Sequence, residues 1–99
     1  MGVRFTRSGL VSRGKAKEAT AFAAQISEYI KENLGVPVTW GMEIGGTLGT
    51  MHWHVDYTDM AQLEKALGWT MTDEGYQKLI DDAIDLFDGA PTDTIIYTM

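Results

Sequence analysis

Val36-Pro37-Val38-Thr39-Trp40-Gly41-Met42-Glu43-Ile44-Gly45-Gly46-Thr47-Leu48-Gly49-Thr50-Met51-His52-Trp53-His54-Val55-Asp56-Tyr57 reads as two alternating arms about a glycine pair. The first arm is apolar at every even position, the period of a half-buried strand. Pro37 cannot donate to a ladder, which suits an edge strand or a strand start. Gly45-Gly46 is a hairpin-turn signal. With those two residues as the loop, Trp40 faces Met51, Val38 faces Trp53 and Val36 faces Val55. The opposite face then pairs Thr39 with His52, Gly41 with Thr50 and Glu43 with Leu48. Both arms put their apolar residues on one face, and a one-residue slip would destroy that agreement.

Outward from the hairpin, Val3 to Val11 reads as a strand, with Val3, Phe5 and Leu10 among polar residues. Lys15 to Leu34 is helical: Ala16, Ala19, Ala23, Ile26, Ile30 and Leu34 form one stripe, flanked by Phe22 and Tyr29. Gly35 follows as a natural left-handed helix stop. After the hairpin, Asp59 and Gln62 have capping-box spacing, and the helix they open is expected to end near Gly68. A further helix from Thr70 turns Tyr76, Leu79, Ile80, Ala83 and Phe87 inward until Gly89-Ala90-Pro91 stops it. Thr92 to Met99 is the last β-rich segment. The order predicts an α+β, ferredoxin-like β-α-β-β-α-β domain over residues 1–99, with its second helical region split in two. Right-handed crossovers give an antiparallel four-stranded sheet of order 4-1-3-2, with helices on one face.

Ninety-nine residues suffice for one core. Eight Lys and Arg against fourteen Asp and Glu leave a net charge of −6, unsuited to a nucleic-acid backbone or an anionic membrane. Asp81, Asp82, Asp85 and Asp88 read as a solvated acidic helix face that carries much of that charge. The absence of Cys excludes disulfides, thiolate metal sites and a Cys nucleophile. No apolar run approaches the ~20 residues that span a bilayer, and no secretory signal opens the chain, so a cytoplasmic protein is the expectation.

The stretch Gly46 to Tyr57, followed by Thr58-Asp59-Met60 and a helix, resembles the dimeric α+β barrel superfamily. Within it, the chain looks most like the NIPSNAP-type and antibiotic-biosynthesis-monooxygenase-type branches, which share a Gly-rich hairpin, an aromatic and His-bearing strand ending in Tyr, and an acid-capped helix. The resemblance implies homodimers with apposed sheets and a small-molecule cavity between sheet and helices. It constrains function less, because members include cofactor-free oxygenases, isomerases, haem enzymes and stress proteins.

His52 and His54 share one strand face, a spacing that metal sites use. A third ligand is wanting. Glu43, placed opposite Leu48, is four strand steps or about 13 Å from His52, and Asp56 is two steps past His54. No metal and no cofactor is therefore expected. Trp40, Met42, Met51, Trp53, Met60, Trp69 and Tyr76 are large or pliable side chains suited to the wall of a binding cavity, and Gly41 and Gly49 leave room on the sheet. Three functions follow. The first is a homodimer that binds a small, mainly apolar molecule, such as an acyl chain or a polyketide-like ring system, between sheet and helices. The second is a cofactor-free oxygenase or isomerase in which His52 or His54 moves a proton and Tyr57 or Trp53 orients the substrate. The third is a purely structural dimer module.

Overall fold

The computed structural model describes residues 2–46 and 48–99; Thr47, in the glycine-rich turn, lies outside the described residues. The elements are β1 (Gly2–Val11), α1 (Ala16–Leu34), β2 (Thr39–Met42), β3 (Thr50–Tyr57), α2 (Met60–Thr72), α3 (Glu74–Asp82), one 3₁₀ turn (Ile84–Leu86) and β4 (Phe87–Thr98). They build one antiparallel sheet in the order β2-β3-β1-β4, which is the predicted 4-1-3-2 read from the other edge. The split second helical region is also as expected.

The hairpin register differs from the sequence reading by two residues. Trp40 faces Trp53, Met42 faces Met51, Gly41 faces His52 and Thr39 faces His54. The turn is longer than a glycine pair: the Glu43 N–H donates to the Thr50 carbonyl at 2.8 Å, and Gly46 and Gly49 both take positive φ. A slip of two preserves the side-chain parity, so every residue stays on its expected face. Met51 is fully buried, which identifies the Trp40/Met51/Trp53 face as the one beneath the helices. Leu10 is the exception to the first strand's apolar set: its even number places it with Arg4, Thr6 and Ser8 on the open face, 40% exposed.

The core has two parts. Val3, Val36, Val55, Tyr57, Leu63 and Ala66 form one cluster, and Ala19, Ala23 and Met51 form the other. Val36 and Val38 lie before the ladder of β2 yet pack into the first cluster, so the alternation detected burial where no strand forms. Gly35 closes α1 in the left-handed conformation, φ 70°, with its N–H on the Lys31 carbonyl.

Several boundaries differ from expectation, among them the start of the third helix, at Glu74 and not Thr70. Helix α2 runs through Gly68 to Thr72, because packing of Leu63 and Ala66 overrides one weak helix former. Asp59 caps it by accepting the Gln62 N–H at 2.9 Å, while the Gln62 side chain returns to the Thr58 N–H at 2.7 Å, one residue earlier than a standard capping box. The third helix ends at Asp82, and β4 already starts at Phe87. Gly89-Ala90-Pro91 does interrupt the chain, but as a bulge: β1 advances from Ser8 to Leu10 while β4 moves from Thr92 to Asp88. Asp88 consequently leaves the acidic helix face and accepts the Ser12 hydroxyl at 3.0 Å.

Asp73 links α1 to the start of α3. Its carboxylate accepts the Tyr29 hydroxyl at 2.5 Å and the Tyr76 N–H at 2.9 Å. These bonds, the Tyr29 one foremost, hold its pKa below the ordinary carboxylate value. A depressed native pKa contributes stability above the unfolded-state value of about 4, and that contribution is lost as pH falls through the native value. Asp73→Asn should therefore be less stable than wild type at pH 6, with the gap narrowing below about pH 4. Thermal melts across that range check it; a constant gap would mean that the charge contributes nothing.

Candidate functional site

The sheet presents two chemically distinct surfaces, and residue parity assigns each predicted site residue to one of them. His52 and His54 lie on the open, polar face; Tyr57 lies on the covered face. The three predicted catalytic residues are thus on opposite sides of the sheet, as their even and odd numbers require.

On the open face, cross-strand neighbours bind both imidazoles. Ser8 Oγ lies 2.7 Å from His52 Nδ1, and Thr6 Oγ1 lies 2.8 Å from His54 Nδ1. His52 Nε2 meets Glu43 Oε1 at 2.7 Å. Nε2–H donates to that carboxylate, and Nδ1 pairs with the Ser8 hydroxyl. The predicted 13 Å separation of Glu43 is wrong because Glu43, just past the end of the neighbouring strand, reaches diagonally across to His52; steps along one strand do not measure that distance. The two rings stack almost parallel, with centroids 6.2 Å apart. Arg4 grips Asp56 through two nitrogens at 2.9 and 3.1 Å, which lowers the Asp56 pKa. No group of three or more His, Cys, Asp or Glu among the described residues is arranged to hold a metal.

On the covered face a cavity of about 100 Å³ lies between sheet and helices. Its floor is Phe5, Arg7, Trp53, Val55 and Tyr57; its roof is Phe22, Ile26 and Ile30 of α1, Ala66, Leu67 and Thr70 of α2, and Tyr76 and Ile80 of α3. Helix stripes facing an alternating sheet supply a wall that is almost wholly apolar. Of the seven residues expected at a binding-cavity wall, Trp53 and Tyr76 border this cavity. Met51 and Trp40 pack in the second core cluster, and Met60 packs against the first. Trp69 stacks on Tyr29 and tilts against Tyr76, 5.9 and 5.6 Å away, and Met42 is partly exposed on the edge strand.

Arg7 is the charged residue of this wall. It shares its face with Val3 and Phe5, so a charge on an apolar parity was the signal available in the sequence. Its ε and one η nitrogen bind Asp93 at 2.7 and 2.8 Å, the main cause of its raised pKa. Burial raises the pKa of Tyr76, with Arg7 pulling it back, and burial also raises that of Tyr57. Trp53 packs edge-on against Phe22 and Phe87, and its indole N–H is buried without a hydrogen-bond partner among the described residues. Such an orphan donor costs about 1–3 kcal/mol.

No helix among the described residues is long and apolar enough to cross a membrane. No protein-family model matches the chain, and neither does any curated protein sequence. Solved structures do match. A NIPSNAP family protein from Agrobacterium tumefaciens superposes with a TM-score of 0.83 at 16% identity, over 100% of this chain and 94% of that one. A NIPSNAP domain protein from Burkholderia xenovorans gives 0.82 at 12% identity, over 98% and 94%. A variant of SnoaB, a cofactor-independent oxygenase from Streptomyces nogalater, gives 0.72 at 15% identity, over 98% and 92%. The chain therefore has a ferredoxin-like fold, shared with NIPSNAP proteins and with a cofactor-independent oxygenase.

Proposed function

We propose that the protein binds a small, mainly apolar molecule between the sheet and the helices. The observation that carries this reading is the apolar cavity whose wall includes Trp53, a residue with a buried, unpartnered indole N–H. A ligand acceptor placed there would satisfy the donor while the remaining wall desolvates the ligand body. Apolar cavities of roughly 150 Å³ take up benzene, so about 100 Å³ suits a short chain smaller than a benzene ring. A polyketide-like ring system or a long acyl chain needs more room than this cavity alone. If the site is catalytic, the groups within reach are Arg7, Trp53, Tyr57 and Tyr76, whereas His52 and His54 are behind the sheet.

The same reading includes a second copy on the open sheet face, where imidazoles already paired within the chain adjoin partly exposed Leu10 and Ile96. A monomer in light scattering at micromolar concentration would refute that part alone.

2-Butanone, a short chain with one acceptor, tests the cavity. It should raise the wild-type unfolding midpoint in a concentration-dependent way. Trp53→Phe keeps the ring, removes the donor and should weaken binding about tenfold, the effect of one hydrogen bond. Ala66→Leu fills the cavity and should abolish the shift. Wild-type protein indifferent to 2-butanone would refute the reading.

A further inference from the structure

A second cavity, of about 170 Å³, adjoins the first. The two have four wall residues in common: Arg7 and Trp53 from the sheet, Phe22 from α1 and Ile80 from α3. Two floor residues and two roof residues define a waist. Inside the waist lie the hydroxyl-bearing Tyr57, Thr70 and Tyr76. Outside it the wall is Gly9, Ala83, Ile84, Phe87, Gly89 and Pro91, none of which carries a polar side-chain atom. The β4 bulge contributes to this outer end, since residues 89–91 fall in the gap between the Ser8–Thr92 and Leu10–Asp88 pairs.

We propose that the two cavities are chambers of one channel and that its ligand is elongated, with a neutral carbonyl head in the inner chamber and an unbranched apolar tail through the waist into the outer one. This rests on the binding reading above and deepens it. The side chains of the two walls set the orientation, because those beyond the waist carry no polar atom, while Arg7 and Trp53, both donors, belong to it. The charge of the head follows from Asp93, which already neutralises Arg7 through two bonds. A carboxylate would bring a second negative charge beside Asp93 in a partly desolvated place, whereas a carbonyl accepts from the same donors without that repulsion. Phe22 sets the width of the waist, held edge-on by Trp53 and Phe87 at 6.2 and 5.9 Å.

The probes are the 2-alkanones from 2-pentanone to 2-undecanone, titrated calorimetrically into the intact protein. Wild-type affinity should rise roughly fourfold for each methylene added along the series. Ala83→Leu fills only the outer chamber, and Phe22→Trp narrows the waist. Each should stop the rise at a shorter chain, and Ala83→Leu should leave 2-pentanone affinity unchanged, with circular dichroism reporting that the fold is intact. Alkanoic acids of matched length should bind at least tenfold more weakly than the ketones. The same chain-length dependence in wild type and Ala83→Leu would overturn the two-chamber channel, and acids binding as tightly as ketones would overturn the neutral head. Failure of every ketone to bind wild type would instead remove the binding reading on which the channel rests.

Discussion

Leu63→Ala should lower the unfolding midpoint by about 15–20 °C, the largest effect expected of any single truncation. Leu63 is fully buried on α2, inside the cluster of Val3, Val36, Val55, Tyr57 and Ala66, with Phe5, Ile30, Leu34 and Val38 packed around it. Replacing a buried Leu by Ala removes its transfer free energy and leaves a cavity, at about 3–4 kcal/mol where neighbours cannot close in. These neighbours belong to β1, β3, α1 and the segment before β2, so no single element can collapse into the void. For a domain of this size each kcal/mol moves the midpoint by about 4–8 °C. Total stability of a typical domain is about 5–15 kcal/mol, so the variant should fold with little margin. Leu63→Met, which conserves volume, should cost less than about 1.5 kcal/mol. Urea melts should show a lower midpoint at unchanged slope; a loss under 5 °C would mean that α2 is not held by this side chain.

Gly75→Ala is the second, and its interest is its sign. In an ordinary helix that exchange stabilises by about 0.5–1 kcal/mol. At this position a Cβ would collide with Tyr29 Oη and approach Cζ to 2.8 Å and Cε1 to 3.3 Å. Tyr29 has no easy retreat, being bonded to Asp73 at 2.5 Å and stacked on Trp69 at 5.9 Å. The overpacking costs about 1–3 kcal/mol, so the net effect should be destabilising by about 1–2 kcal/mol. On a Tyr29→Ala background the obstacle is gone, and the same Gly75→Ala exchange should become stabilising. That reversal in a double-mutant cycle is the diagnostic, since an additive result would place the cost elsewhere.

Side-chain parity was legible in the sequence and register was not. Each arm of the hairpin carries its own alternation, which assigns faces without reference to its partner. Register depends on the turn, and the positive φ of Gly49 extends that turn beyond the glycine pair; nothing in Gly45-Gly46 alone reveals this. The mistake over Glu43 followed directly, because pairing sets cross-strand diagonals. Gly68 and Pro91 show the complementary limit. Both residues punctuate secondary structure locally, yet tertiary packing carries α2 past the first, and an edge strand absorbs the second in a bulge. In the candidate site, Trp53 and Tyr76 were readable as large side chains on covered positions. Met51 and Trp40 have the same character but are spent on the core, a distinction that only three-dimensional packing makes. Arg7 and Asp93, 86 residues apart, meet through the β1–β4 pairing, which no local pattern announces.

The position of β1 bears on how the molecule assembles in time. This central strand opens the fold, yet its two neighbours come from much later in the chain: Thr6 bonds His54 across 48 residues, and Gly2 bonds Thr98 across 96. Pairings of such long sequence separation form slowly, because chain entropy is surrendered before any contact rewards it. Helix α1 and the β2–β3 hairpin close over short spans, so they are the natural nucleus, and β1 can enter the sheet only once that hairpin offers it an edge. The ladder between β1 and β4 then completes last. The bulged outer chamber exists only when that ladder is in place, so any ligand contact with Gly89 and Pro91 would draw on the final and most readily reversed step of folding.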